Sequence, residues 1–249
     1  MPSKMNHIAL QVVTPEPAQR GGAVEVRPII DGEDILATAF DEGPAEDPRH
    51  LLSPSSPLMP SLEPKEVRLA EADCTEGCCG AVFVTITRED ATVVWHGWRN
   101  PDDDELDLPA YRFDARQYEA EVQRAVADHS WEWPARTIAR LLEEGLRQQT
   151  RWLDRWECEL AWASALPWER DRVTVVFFFQ PGEPTSRDER PWLQFRIALS
   201  VTDDAPVAQA DRMLQELLSQ DPRAIGHVCG GSREFAGQLG YPWPERFPA

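Results

Sequence analysis

The chain has 249 residues, enough to bury a substantial core as one large domain or two small ones. Its formal net charge is −18, from 43 acidic against 25 basic residues. That balance argues against binding to nucleic acid or to an anionic membrane, since both need a positive surface. A hydrophobic fraction of 42% with ten tryptophans excludes wholesale disorder.

The N-terminal stretch, the absence of a long apolar run and the number of cysteines indicate the cellular compartment. The N-terminal stretch 1–7 has no long apolar region typical of a secretory signal, and no run approaches the roughly 18 apolar residues of a membrane span. We therefore expect a cytoplasmic protein. In that compartment five cysteines, an odd number, indicate reduced thiols or a metal site more than a disulfide framework.

The first quarter of the chain predicts short strands. Residues 6–13 are typical of a strand, and Val24–Ile30 and Ile35–Ala39 read as two strands around the turn pair Asp31-Gly32. Prolines recur from Asp41 to Pro64, and each removes an amide donor, so regular structure should fail there. The leucines in this segment favour an ordered loop held against the core. They are Leu51, Leu52, Leu58 and Leu62.

The stretch Glu66–Trp98 carries the strongest structural signal. Two apolar, β-branched runs, Ala81–Thr87 and Thr92–Trp98, flank the polar break 88–91. Such a pattern predicts a β-hairpin, with residues 79–88 paired to 91–98.

Two consecutive helices are predicted in mid-chain, near 115–129 and 134–148, both packed on the sheet. Asp114 suits the N-cap of the first, with Gln117 as its capping-box partner. Pro134 suits the first turn of the second helix. A third helix is predicted after Asp204 from its apolar stripe, which comprises Val207, Ala210, Met213, Leu214, Leu217 and Leu218.

Three strands are expected in the second half, the first at 156–163. The continuous apolar run Val173–Phe179 predicts a strand buried on both faces. Apolar and polar residues alternate over 193–201, so one face of that strand should be wet. We expect 171–179 to pair with 191–201 in an antiparallel sheet.

Strands occur in runs and do not alternate with helices, which predicts an α+β fold with an antiparallel sheet. Two helices follow one another in mid-chain, and one lies near the C-terminus. The predicted organisation is a flexible N-terminal arm at 1–22, a single α+β domain at 23–220 and an irregular tail at 221–249.

Cys74, Cys78 and Cys79 form a C-x3-C-C cluster that can be interpreted in two ways. Thiolates are good Zn²⁺ ligands, and a tight turn can bring Cys74 and Cys78 together. The spacing lacks a second pair, however, and adjacent cysteines in a strand point to opposite faces. The competing interpretation is a compact turn with small buried thiols, and we expect no bound metal or other cofactor.

The segment His227–Ser232 offers a weaker signal. Its two glycines, its hydroxyl and the following helix-like residues can hold an anion, and a histidine near a cysteine suits a nucleophile. A flexible glycine turn before a C-terminal helix explains the same residues. Motifs of the G-x-S-x-G, H-E-x-x-H, Walker A, G-x-G-x-x-G and C-x-x-C types do not occur, so no reaction centre is nominated.

An aromatic and acidic surface is the favoured site. Trp131 and Trp133 sit at the junction of the two mid-chain helices and Trp152 flanks the next loop, where rings can be exposed to a partner. The run Asp102–Asp107 would supply steering charge beside them, through Asp102, Asp103, Asp104 and Glu105. A solvated acidic loop, or oxygen ligands for Ca²⁺ or Mg²⁺, are the alternatives for that run.

The segment CTEGCCGAVFVTITREDATVVWHGWR, followed by FDARQYEAEVQRA and WEWPARTIARLL, resembles uncharacterised actinobacterial proteins of unknown function. The resemblance covers roughly residues 28–220 and implies no activity, cofactor or catalytic residue. The use of arginine in place of lysine, with lysine only at Lys4 and Lys65, suits a GC-rich genome.

The sequence therefore favours a non-catalytic cytosolic protein that binds another protein as an adaptor, inhibitor or immunity-like protein, with a basic protein as one candidate partner. A hydrolase or transferase with an unrecognised Asp, Glu or His site is the alternative, and the sequence leaves open whether the protein is an enzyme. It names neither the partner nor the oligomeric state.

Overall fold

The computed structural model describes residues 5–74, 79–103, 106–182 and 190–245. Within these ranges it contains three antiparallel sheets and eight helices, so the predicted α+β class is confirmed. The chain divides into two compact units, Met1–Trp131 and Glu132–Ala249. None of the described helices is long and apolar enough to cross a bilayer.

The first unit contains two sheets, with strand orders β1-β2-β3 and β4-β5-β6-β7. Its strands are β1 (Ile8–Val13), β2 (Glu25–Ile30), β3 (Glu33–Asp34), β4 (Lys65–Glu71), β5 (Ala81–Glu89), β6 (Thr92–Arg99) and β7 (Tyr111–Asp114). Its helices are α1 (Ile35–Ala39), α2 (Pro48–Leu51) and α3 (Ala115–Ala127). One core cluster joins both sheets with α3, which packs on β1, β6 and β7.

The predicted central hairpin is confirmed. β5 and β6 pair antiparallel, and Glu89 lies opposite Thr92, so the turn is Asp90-Ala91. Asp90 has a φ of 52°, a left-handed conformation that aspartate tolerates and that suits a tight hairpin.

The strand predicted at Ile35–Ala39 is wrong, because the segment forms helix α1. Asp34 is the N-cap, and its carboxylate accepts hydrogen bonds from the backbone N–H groups of Leu36 and Ala37. A capping carboxylate satisfies donors that a helix start leaves free. These two local hydrogen bonds outweigh the preference of Ile35 for a strand.

The proline-rich segment is an ordered loop containing α2, as its leucines predict. Leu51, Leu52 and Leu58 are buried, whereas Leu62 is 78% exposed and does not help to hold the loop. Ser56 is also buried, and its hydroxyl donates to the carbonyl of Leu51 at 2.6 Å.

Helix α3 begins at the predicted cap. The Asp114 carboxylate accepts from the N–H groups of Arg116 and Gln117 at 3.1 and 3.0 Å. The capping-box role of Gln117 is wrong, because its side-chain amide donates to the carbonyl of Ile8 in β1 at 3.0 Å. Gln117 therefore binds the backbone of the edge strand β1 and not the start of its own helix.

Asp114→Ala should lower the free energy of unfolding by about 1 kcal/mol, because two N–H groups of the first turn lose their acceptor. Asp114→Asn is the matched control, since its amide oxygen can still accept, and it should stay within a few tenths of the wild type. Urea unfolding followed by circular dichroism measures both. An alanine variant as stable as the asparagine variant would contradict the capping role.

The second unit contains one sheet with strand order β11-β10-β9-β8. Its strands are β8 (Cys158–Ser164), β9 (Arg172–Phe179), β10 (Leu193–Ser200) and β11 (His227–Gly231). Its helices are α4 (Pro134–Arg147), α5 (Thr150–Arg155), α6 (Pro206–Leu218), α7 (Pro222–Ile225) and α8 (Arg233–Gln238). Helix α4 packs on α6, β8 and β9.

The predicted pairing of β9 with β10 is confirmed, with Leu193 opposite Phe179 and Ser200 opposite Arg172. Regular structure also extends into both predicted end segments, since β1 lies within 1–22 and β11 lies within 221–249. The two mid-chain helices belong to different units, α3 to the first and α4 to the second, and each packs on strands of its own unit.

Candidate functional site

The three tryptophans predicted to form a binding surface differ in their exposure. Trp131 is half-buried, and its indole N–H donates to the carbonyl of Asp128 at 2.9 Å. Trp133 is 5% exposed. The half-buried Trp152 packs edge-to-face on Phe177, with ring centroids 5.8 Å apart. Trp133 therefore offers almost no surface to a partner, whereas Trp131 and Trp152 keep part of their surface exposed, and the role of the three rings in binding stays a prediction.

The acidic run is partly described. Asp102 and Asp103 are exposed, whereas Asp104 and Glu105 lie outside the described residues. The loop is anchored by Asn100, which is 9% exposed and whose side-chain oxygen accepts from the N–H of Asp102 at 3.1 Å. Trp131 shares a unit with this loop, and Trp133 and Trp152 do not. The role of the acidic run as a steering charge for a partner stays a prediction.

The predicted cysteine cluster is also described only in part. Cys74 is exposed, Cys79 is half-buried, and Cys78 lies outside the described residues. Across the described ranges, no three His, Cys, Asp or Glu side chains come together to hold a metal ion. Elsewhere, burial raises the pKa of Cys158 to about 12, which leaves a neutral and unreactive thiol.

A different pair of aromatic side chains is exposed. Among the described residues, Phe178 and Trp192 are the aromatics that solvent reaches most, at 37% and 40% exposure. Their rings meet edge-to-face, with centroids 5.6 Å apart and an interplanar angle of 79°. Phe178 belongs to β9, and Trp192 directly precedes β10.

Strand pairing explains why Phe178 points outward. In β9 the residues at 173, 175, 177 and 179 are buried, and Phe178 lies on the opposite face. The prediction that β9 is buried on both faces is therefore wrong at Phe178. The signal was present in the sequence, because Phe178 pairs with Gln194, a polar residue of the strand expected to have one wet face.

Phe178 and Trp192 lie next to a carboxylate and on a backbone that hydrogen bonds hold in place. Glu159 of β8 is exposed and lies opposite Phe178 on the other side from Gln194. The carbonyl of Trp192 accepts from the N–H of Ser232 at 3.0 Å, which fixes the backbone at this corner. We call the exposed surface formed by Phe178 and Trp192 the aromatic pair.

Beside the aromatic pair, Arg190 joins the chain just before β10 to the chain just after β9. Its guanidinium donates to the carbonyl of Gly182 at 2.6 Å and to the side-chain oxygen of Gln180 at 3.2 Å. The Gln180 amide donates back to the carbonyl of Arg190 at 3.2 Å. These bonds join the end of β9 to the chain before β10, so the two rings are presented from a constrained backbone.

A buried carboxylate and a histidine form the contact that best fits an enzyme. Glu46 is 8% exposed, and one carboxylate oxygen lies 2.6 Å from Nδ1 of His50. Arg68 donates to the other oxygen. The His50 side chain is 58% exposed.

This pair resembles half of a nucleophilic site, because a carboxylate orients an imidazole in such sites. Within the described ranges, however, no hydroxyl or thiol forms a hydrogen bond with His50. The hydrogen bond to Glu46 raises the pKa of His50, against the opposing effect of burial. Since no described nucleophile accompanies the imidazole, the contact is better explained as an ion pair that stabilises the fold.

Comparison with protein-family models, with curated proteins and with solved structures gives no match. The function must therefore be inferred from the residues of this chain. The aromatic pair is the feature of the described structure that most favours an interaction with another molecule.

Proposed function

We propose that this chain is a non-catalytic cytosolic protein that binds another protein through a surface containing the aromatic pair. An adaptor, inhibitor or immunity-like role belongs to this class. The observation that carries the proposal is the joint exposure of Phe178 and Trp192 on a constrained backbone, where β9 ends and β10 begins.

Aromatic side chains are costly to leave in water and are enriched in interface hot spots. A single exposed apolar residue needs no explanation, but two aromatic rings in contact form a patch. Because Phe178 sits in a paired strand and Trp192 has its backbone bonded to Ser232, little ordering entropy would be lost on binding. That preorganisation favours an interaction surface.

The charge of the chain suggests the kind of partner. A net charge of −18 produces a negative potential that accelerates encounter with a basic protein and disfavours nucleic acid. Glu159 supplies a local negative charge next to Phe178. We therefore propose a basic protein partner whose association weakens as salt screens the long-range attraction.

Phe178→Ala combined with Trp192→Ala should weaken partner binding at least about tenfold, because truncated hot-spot rings typically cost more than 1.4 kcal/mol. Wild-type protein and variant serve as bait for affinity capture, and the recovered partner is then titrated by calorimetry. Val207→Ala is the matched control, since Val207 is 61% exposed on α6 and lies outside the aromatic pair.

The control variant should bind like the wild type. Equal affinity of the double variant and the wild type would contradict the aromatic pair as the binding surface. Circular dichroism establishes that the double variant is folded, which is expected because neither ring belongs to the buried core.

The alternative function is a hydrolase or transferase, and the Glu46–His50 contact is the observation that favours it. It would gain support from wild-type hydrolysis of a model ester that His50→Asn abolishes. We favour the binding function because no described nucleophile accompanies this contact.

A further inference from the structure

One arginine of the first unit is held by an aromatic ring and a carboxylate together. The guanidinium carbon of Arg99 lies 4.1 Å from the ring centroid of Phe83, and the guanidinium donates to both oxygens of Glu66 at 3.1 and 2.9 Å. The three residues lie on neighbouring strands, Glu66 on β4, Phe83 on β5 and Arg99 on β6. The ring attracts the cation electrostatically and the carboxylate pairs with it, so both groups bind the same guanidinium.

The second unit repeats this combination around Arg223. Its guanidinium carbon lies 4.9 Å from the ring centroid of Phe179 and 5.4 Å from that of Trp156. The guanidinium donates to both oxygens of Asp221, at 3.0 and 2.8 Å. Arginine suits such a position because its planar guanidinium stacks on rings and binds a carboxylate through two parallel hydrogen bonds. The chain therefore uses rings and a carboxylate twice to bind one of its own arginines.

The aromatic pair also lies beside a carboxylate. Phe178 is on β9, and its strand partners are the exposed Glu159 on β8 and Gln194 on β10. Side chains of directly opposed residues share a face with their Cβ atoms about 5 Å apart, so the Glu159 side chain lies next to the Phe178 ring. Across the described ranges, no guanidinium lies over the ring of Phe178 or of Trp192.

Two arginines of the same sheet are placed elsewhere. Arg190 donates to the carbonyl of Gly182 and to the side-chain oxygen of Gln180. The half-buried Arg196 lies opposite Val176, further along β10. The positive charge of Arg196 would weaken the attraction of a cation to this face and strengthen that of an anion. Its replacement therefore reports the sign of the charge that the site binds.

We propose that the partner places an arginine side chain at the aromatic pair, with its guanidinium over the rings and hydrogen-bonded to Glu159. This inference rests on the proposed function and names the group that the site recognises. An edge-to-face contact uses the face of only one ring, and Phe178 and Trp192 are 37% and 40% exposed, so ring surface is left for a cation. The net charge of −18 attracts a basic partner over a long range, and this site would hold one of its arginines at short range.

The probes are four blocked tripeptides, glycine-X-glycine with arginine, citrulline, leucine or glutamate in the centre. Citrulline keeps the shape of arginine and replaces its guanidinium with a neutral urea group. Each peptide is titrated into the full chain, and the magnetic resonance signal of the Trp192 indole N–H, assigned with Trp192→Phe, reports binding. We expect a saturable shift with the arginine peptide, and binding of the citrulline peptide that is weaker by about two- to fivefold because the cation is lost.

Two charge variants test the carboxylate. Glu159→Gln should weaken binding of the arginine peptide by about two- to fivefold, because it removes the charge and keeps the shape of the side chain. Glu216→Gln is the matched control, since Glu216 is exposed on α6 and its replacement changes the net charge equally. The control should bind like the wild type, and Arg196→Gln should bind the arginine peptide as tightly or more tightly.

The inference is overturned if the arginine peptide gives no saturable shift in the millimolar range, or if the citrulline or leucine peptide binds as tightly. Equal effects of Glu159→Gln and Glu216→Gln would also overturn it. Tighter binding of the glutamate peptide, lost in Arg196→Gln, would assign an anionic ligand instead. If a captured partner needs the aromatic pair while the peptide tests fail, the proposed function stands and this inference falls. If a captured partner binds the double alanine variant as tightly as the wild type, the proposed function itself fails.

Discussion

Trp95→Ala should lower the free energy of unfolding by about 4 kcal/mol, the largest effect we expect from a single substitution in this chain. Trp95 has 0% exposure, and its ring meets Trp98, Phe113 and Tyr118 edge-to-face at centroid distances of 5.9, 5.9 and 6.2 Å. Truncation would leave a cavity among rings that are held by two sheet strands and a helix. Urea unfolding monitored by circular dichroism measures the loss.

The indole also belongs to a buried hydrogen-bond chain. Its N–H donates to the hydroxyl of Tyr118 at 3.1 Å, and that hydroxyl donates to the carbonyl of Leu58 at 2.8 Å. Tyr118→Phe keeps the ring and removes both bonds, so it should cost about 1–3 kcal/mol through unsatisfied buried groups. This variant separates hydrogen bonding from packing.

Trp98→Ala provides the control for ring size, because Trp98 is only half-buried and should cost clearly less than Trp95. A Trp95→Ala variant that loses under about 1 kcal/mol would contradict the central position of this ring in the core of the first unit.

Strand pairing was predictable where the local signals agree. The hairpin of β5 and β6 was predicted from two β-branched runs around the polar break 88–91, and the structure forms its turn inside that break, at Asp90-Ala91. Helix α3 has an apolar stripe and a capping aspartate, and it begins where both place it. Helix α1 was missed because Asp34 both ends β3 and caps the helix, and only a hairpin around Asp31-Gly32 was predicted.

The candidate site was less predictable, because exposure is decided by contacts between distant segments. Nothing local distinguishes the buried Trp133 from the exposed Trp192, since both neighbour a proline. The exposure of Phe178 could have been inferred by combining two predictions already available, the pairing of β9 with β10 and the wet face of β10. The pairing of β11 with β10 could not be predicted, because its glycine-rich sequence does not indicate a strand.

Glu46→Gln should lower the free energy of unfolding by about 2 kcal/mol. Breaking a buried ion pair is strongly destabilising because it leaves charge without a partner, and partial exposure of Arg68 and His50 reduces that cost here. The glutamine amide would also place donors against the donors of Arg68 or His50. Glu71→Gln is the matched control, since Glu71 pairs with the same arginine at 2.7 Å but is 37% exposed. The control should change stability by less than about 1 kcal/mol.

The pH dependence of stability gives this prediction a second, independent measurement. Burial raises the pKa of Glu46, but the hydrogen bonds from His50 and Arg68 outweigh it and hold the pKa below its ordinary value of 4.5. The stability that Glu46 contributes is therefore present above pH 4.5 and is lost as the pH falls through the lowered pKa. For His50 the sign is opposite, because its pKa is raised above 6.5. Its contribution is complete below pH 6.5 and is lost as the pH rises through the raised pKa.

Unfolding free energies measured from acid to mildly alkaline pH should therefore fall on both sides of the interval from 4.5 to 6.5 in the wild type. In Glu46→Gln the alkaline decline should flatten, because His50 loses the hydrogen bond that raises its pKa, and the acid decline should lose the part due to Glu46. The Glu71→Gln control should retain both declines. If Glu46→Gln kept the alkaline decline of the wild type, His50 would not be coupled to Glu46, and the contact would have no part in the stability of the first unit.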